Sequence, residues 1–219
     1  MSIRKDFDIK LQALGESILV MGRKAETMLE TALNALADRS PELADRAIAM
    51  DDEVDALNLD IERRCLELIA LQQPMARDLR IIAAASRIIT DVERIGDLTV
   101  DVAKVAKALA PRPLFKPLED IPRLCRLVQR MLRDSLEGYA SRDLSLIQRM
   151  IQDDEAVDHL YHSLYDELVG FMEKDPGLVR QAVHLLMISH YLERIADHIT
   201  NIGEWTIYMV TGERRDLNL

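Results

Sequence analysis

The sequence predicts an all-α protein made of two tandem homologous three-helix bundles. Three observations carry that expectation. Apolar residues recur at spacings of three and four along six long segments, the spacing that lines one face of a helix. No segment sustains strand-like alternation, and no Asn-Gly hairpin turn occurs. Two acidic motifs of the first half return in order in the second: Asp51-Asp52-Glu53-Val54-Asp55 as Asp154-Glu155-Ala156-Val157-Asp158, and Glu93-Arg94-Ile95-Gly96-Asp97 as Glu193-Arg194-Ile195-Ala196-Asp197.

The first helix is expected from Asp8 to Ala37, with Leu11, Leu14, Ile18, Met21, Ala25, Met28 and Ala32 on its core stripe. Ser40 followed by Pro41 reads as an N-cap with proline at the first helical position, opening a second helix that should run to Leu71. The third spans Pro74 to Leu109. Three prolines between Pro111 and Pro117 cannot continue a helix. The organisation expected is therefore a first bundle over 1–110, a linker over 111–118 and a second bundle over 119–219. The remaining helices are expected from Glu119 to Ala140, Asp143 to Glu173 and Pro176 to Thr211.

Composition narrows the function. The chain has 219 residues, 48% of them hydrophobic and only 4% aromatic, a palette of Leu, Ile, Val, Ala and Met that suits packed helices. Its net charge of −10 argues against nucleic acid, which needs a basic face, and against docking on an anionic membrane. Each half carries a charge of −5, with 15 Lys+Arg and 20 Asp+Glu in residues 1–110. The opening residues Met1 to Asp6 hold no signal-peptide apolar run, and no segment reaches the ~20 apolar residues of a membrane span. A soluble cytoplasmic protein without membrane insertion is the expectation. Cys65 and Cys125 form neither a CxxC nor a zinc spacing, and both sit in helical patterns as packing residues.

The chemistry lies in the carboxylates. Asp51/Asp55, Glu93/Asp97, Asp154/Asp158 and Glu193/Asp197 are each spaced i and i+4, which places both members on one helix face. Positions at one level of an antiparallel hairpin have residue numbers with a constant sum. The pairs 51/97 and 55/93 share one, centred on Pro74 in the turn; 154/197 and 158/193 share another, centred between Asp175 and Pro176. The four carboxylates of each half thus lie at one height, about 25–35 Å from the turn. If they face one another they must take up protons or bind hard cations such as Mg, Mn, Ca or Fe. Surface salt bridges through Arg94 and Arg194 are the other reading of the same pattern.

Other chemistry is poorly supported. His159, His162 and His198 near the second acidic pairs match Ala56, Leu59 and Leu98 in the first half, which reads as variation rather than ligation. No Glu-x-x-His, glycine-rich phosphate loop, GxSxG or HExxH occurs, and no nucleophile or general base is evident.

Gln73-Pro74-Met75-Ala76-Arg77-Asp78-Leu79-Arg80, Asp91-Val92-Glu93-Arg94-Ile95-Gly96-Asp97, Tyr191 to Ile202 and the closing Ile207 to Glu213 resemble the PhoU family over almost the whole chain, in order and in both repeats. The resemblance implies two three-helix bundles whose E(D)xxxD motifs hold metal on the bundle surface. By that resemblance Asp51, Asp55, Glu93, Asp97, Asp154, Asp158, Glu193 and Asp197 bind divalent or trivalent metal ions (Fe, Zn, Mn or Mg). It further implies a regulator without catalysis, which couples the ATPase subunit of a phosphate ABC transporter to a phosphate-sensing histidine kinase. Such a regulator restrains phosphate-starvation genes and limits high-affinity uptake; a homodimer is expected. An all-α metal-dependent phosphohydrolase is the alternative, and a purely structural bundle a third. The chain departs from the family in Ala196, where Gly is usual, and in Asp101, where Asn is frequent and a fifth carboxylate could join the first site.

Overall fold

The computed structural model describes residues 3–72, 74–111, 113–115, 119–214 and 216–217, and every regular element among them is helical. Gln73 and, in the proline-rich segment, residues 112 and 116–118 lie outside the described residues. The elements are α1 (Ile3–Asp38), α2 (Pro41–Ala49), α3 (Asp51–Gln72), α4 (Ala76–Leu109), α5 (Asp120–Ser141), α6 (Leu144–Lys174), a 3-10 turn (Pro176–Leu178) and α7 (Val179–Thr211). None is long and apolar enough to cross a membrane.

Boundaries follow local chemistry. Arg39 turns left-handed at φ 50°, and the Ser40 hydroxyl accepts from the Leu43 N–H at 3.2 Å to start α2 behind Pro41. Asp143 caps α6 by accepting from the Ser145 N–H at 2.9 Å. Gly212, at φ 82°, closes α7 by donating to the Tyr208 carbonyl.

One expectation fails. The helix expected from Pro41 to Leu71 is interrupted at Met50, which divides it into α2 and α3. The Met50 N–H donates to both Arg46 and Ala47 carbonyls at 3.2 Å, and its own carbonyl accepts from the Glu53 N–H, so the bonding tightens to i,i+3. Asp51, Asp52 and Glu53 then occupy the first turn of α3, where the positive end of the helix dipole favours carboxylates. The apolar period does not register the break, because Ala44, Ala47 and Val54 stay buried across it.

Each half contributes three helical layers, with α2–α3 acting as one. The linker does not divide the core. The broadest helix interface in the molecule joins α4 to α7, one from each half, and α1 also touches α5. Ile82, Ile88, Ile95, Ile188, Ile195 and Ile202 belong to one continuous apolar cluster. Each such side chain, fully buried, contributes about 1.5–3 kcal/mol. Cys65 and Cys125 are buried free thiols, and burial pushes them up to about 11 and about 12.

In the second half, α5 and α6 are pinned crosswise. Arg130 donates to both oxygens of Asp153 at 2.5 Å, and Arg149 to both oxygens of Asp134 at 2.5 and 2.6 Å. Both aspartates are buried while the arginines keep one side in water.

Candidate metal centre

The hairpins set the height of each site and the interhelical packing sets its depth. Asp51 lies in the first turn of α3 with Asp55 one turn later, opposite Glu93 and Asp97 on α4. Asp154 and Asp158 on α6 stand opposite Glu193 and Asp197 on α7. In both halves three carboxylates are half-buried, and the fourth, Asp55 or Asp158, is exposed.

The carboxylates feel one another as the register requires. Asp51 is pushed up to about 6, first by loss of water and then by repulsion from Asp55, Asp97, Asp52 and Glu93. Glu93 is raised by burial and by Asp97, with Arg94 opposing. Burial, then Asp158 and Asp197, push Asp154 up to about 6, with the nearby Thr200 hydroxyl opposing. Glu193 is pushed up to about 7 by burial, Asp197 and Asp158. Burial and Asp158 also raise Asp197.

Proximity stops short of closure: among the described residues no three His, Cys, Asp or Glu side chains form a finished ligand set. Two buried oxygens nonetheless lack a hydrogen-bond donor, Asp51 Oδ1 in the first site and Glu193 Oε2 in the second. His190 Nδ1 is 3.4 Å from Glu193 Oε2 but not aligned as a hydrogen bond. A buried acceptor without a donor costs about 1–3 kcal/mol. Orphaned oxygen, an all-carboxylate set and open solvent on one side fit a hard cation that keeps part of its water shell.

The two sites differ in detail. A Cβ on Gly96 would lie 2.9 Å from Asp51 Oδ1, so the glycine lets that carboxylate settle against α4. The second site has Ala196 there and a buried Thr200, whose hydroxyl donates to the Ala196 carbonyl at 3.1 Å, where the first has buried Val100. Arg94 donates to Asp97 at 2.8 Å and stands 3.6 Å from Glu93, so part of the salt-bridge reading holds in the first half. Asp101 pairs instead with Lys104 at 3.2 Å. His159 and His162 are exposed on α6.

Sequence reasoning missed the seam between the sites. His198 Nδ1 lies 3.0 Å from Asp91 Oδ1 across α4 and α7, and Asn201 Nδ2 donates to the same oxygen at 3.1 Å. The repeat places Tyr191 opposite Asp91 and Leu98 opposite His198, so this pairing breaks the internal symmetry. Two mismatched polar positions, one in each copy, were the available signal.

Comparison with known proteins agrees with the fold and the repeat. The model of the PhoU domain matches twice, over residues 18–106 and 121–206. A Clostridium acetobutylicum protein named phosphate-specific transport system accessory protein PhoU homolog is 38% identical over 98% of this chain and 99% of its own length. One of the same name from Aquifex aeolicus is 38% identical over 93% and 92%. The crystal structure of PhoU from Pseudomonas aeruginosa superposes with a TM-score of 0.91 at 32% identity, covering 94% of this chain and all of that one. The phosphate transport system regulatory protein PhoU from Streptococcus pneumoniae gives 0.88 at 31%, over 96% and 99%. With both repeats matched in order and full-length relatives on either side, the chain belongs to the PhoU family.

Proposed function

We propose that this protein is a non-catalytic cytoplasmic regulator of phosphate homeostasis. In this reading it restrains phosphate-starvation genes and high-affinity uptake when phosphate is plentiful. It does so by linking the ATPase subunit of a phosphate ABC transporter to a phosphate-sensing histidine kinase, working as a homodimer. The observation that carries the reading is full-length similarity, in both halves, to proteins named as accessory to phosphate-specific transport.

The geometry supports a structural use of the two acidic sites. Asp51, Asp55, Glu93 and Asp97 would hold one cation or cluster, and Asp154, Asp158, Glu193 and Asp197 another; Fe, Zn, Mn and Mg are the candidates. A bound cation would supply the charge that offsets the repulsion within each set. The carboxylates themselves then set the spacing of α3 against α4 and of α6 against α7. Arg94 is engaged with Glu93 and Asp97, which suits this use better than gripping a substrate phosphate.

The test is a starvation-promoter reporter in phosphate-rich medium. Deleting the gene is expected to switch the reporter on, and deleting the kinase as well to switch it off. Low expression in the single deletion would overturn the signalling role. The second reading, a metal-dependent phosphohydrolase, draws on Glu193, which at about 7 can exchange a proton near neutrality. Phosphate release from nucleotides with Mg or Mn, lost in Glu193→Gln, would put that reading first.

A further inference from the structure

We propose that His190 joins the second acidic site as a nitrogen ligand and makes that site selective for zinc, leaving the harder cations to the first. The proposal rests on the metal reading of the two sites and sorts its candidate ions between them. His190 Nδ1 stands 3.4 Å from Glu193 Oε2, the buried oxygen that lacks a donor. That contact is too long and too poorly aligned for a good hydrogen bond. Two ligands on one tetrahedral zinc, each bonded at about 2.0–2.1 Å, stand about 3.3–3.4 Å apart. Neighbouring ligands on an octahedral magnesium stand about 3.0 Å apart. The spacing of this nitrogen and this oxygen is therefore that of a pair sharing a tetrahedral ion.

The surroundings hold the imidazole in place. Its ring lies 6.1 Å from that of Tyr161 on α6 and 6.2 Å from that of Tyr191, so two aromatic side chains limit its swing. About half of the side chain stays open to solvent, which leaves an entry path for the ion. Asp197 feels the His190 charge as well, so a second carboxylate of the set is within electrostatic reach. Asp197 and the exposed Asp158 would complete a four-ligand set with His190 and Glu193.

The first half provides an internal control. Residues 1–110 contain no histidine. Thr90 stands where the second half has His190, and its hydroxyl is spent on the Ser86 carbonyl at 3.1 Å. The first set is therefore all oxygen, which suits Mg or Mn, whereas imidazole beside carboxylate suits Zn. The other histidines near the second site are differently placed: His198 Nδ1 meets Asp91, and His159 and His162 are exposed on α6.

The test uses the full chain, freed of metal by chelation and carrying Glu93→Gln with Asp97→Asn so that the second site is read alone. Zinc is titrated against excess magnesium. Cobalt(II) then serves as a spectroscopic stand-in, because four-coordinate cobalt absorbs visible light far more strongly than six-coordinate cobalt. The parent is expected to take up zinc in the presence of magnesium and to give the strong cobalt band. His190→Gln should lower zinc affinity about tenfold or more and collapse the band, with magnesium affinity unchanged. His184→Gln, which removes the imidazole away from the acidic set, should behave as the parent. Unchanged zinc affinity in His190→Gln, or only the weak six-coordinate band in the parent, overturns the proposal while leaving the metal reading standing. Uptake of no cation by wild type removes the metal reading and this proposal with it. A second measurement needs no variant: in wild type with ¹⁵N-labelled histidine, zinc should move the ring-nitrogen resonances of His190 and not those of His184. Unmoved His190 resonances overturn the proposal even where a substitution disturbs folding.

Discussion

The two acidic sites are copies that have drifted in opposite ways. The first begins a helix: Met50 breaks the chain, Asp51 opens α3, and Gly96 clears space for its carboxylate. Arg94 lies across Glu93 and Asp97 and offsets part of the charge. The second sits in mid-helix on an unbroken α6, with Ala196 in place of the glycine and Thr200 in place of Val100. Its Glu193 is lifted to about 7 by burial, Asp197 and Asp158 with Arg194 opposing, and the corresponding Glu93 is raised by burial and Asp97 with Arg94 opposing. A shared hairpin register fixes which carboxylates meet. The neighbours decide how much of their repulsion is left for a cation to relieve.

The largest effect expected is separation of the sites. Glu93→Gln with Asp97→Asn should weaken cation binding in the first half by at least about a hundredfold and spare the second. Elemental analysis and calorimetric titration read this, and equal loss at both sites would break the comparison.

Stability against pH comes next. A carboxyl raised in the fold binds its proton more tightly folded than unfolded. Its contribution is therefore full below its unfolded value near 4 and is lost as pH rises through the folded value. For Asp51 and Asp154 that loss centres on about 6, and for Glu193 on about 7. The Tm of metal-free protein should fall from pH 5 to 7.5 through these groups and recover when Mn or Mg is added. Glu193→Gln should flatten the upper part of that slope more than Glu93→Gln does; thermal melts across the range check the order.

Exchanging the small residues is subtler. Gly96→Ala places a methyl 2.9 Å from Asp51 Oδ1 and should weaken the first site about tenfold. Ala196→Gly removes a buried methyl without moving a carboxylate and should change the second site by less than that. The smallest effect belongs to Arg94→Gln. Removing an exposed ion-pair partner frees Glu93 and Asp97, and the first site should tighten about twofold to fivefold in titration.

Much of this was legible in the residues. Constant-sum pairing about Pro74 and about the Asp175–Pro176 turn put the right carboxylates at one height, because a short turn leaves antiparallel helices little freedom of register. Ser40 and Pro41 announced a helix start, one through its hydroxyl and the other through its fixed backbone angle. The break at Met50 was hidden because its flanking alanines keep the core period intact. Asp91 was hidden because its partner, His198, lies in the other repeat, and periodicity within a helix carries no information about contacts between copies. The orphaned oxygens of Asp51 and Glu193 were likewise beyond pattern reading, since satisfaction of a polar atom depends on every neighbour at once.

The crossed Arg130–Asp153 and Arg149–Asp134 pairs act as a ratchet stop. Slipping α5 past α6 by one turn, about 5.4 Å, would part both pairs together and leave two buried carboxylates without their arginines. The two pairs therefore hold α5 and α6 in one register. Between α1 and α3 the ties described are the Arg64–Ser17 hydrogen bond and the exposed Lys24–Glu53 pair, neither of which strands a buried charge when it parts. The tie of that kind in the first half joins α1 to α4, where Arg4 meets the buried Asp78 at 2.8 Å.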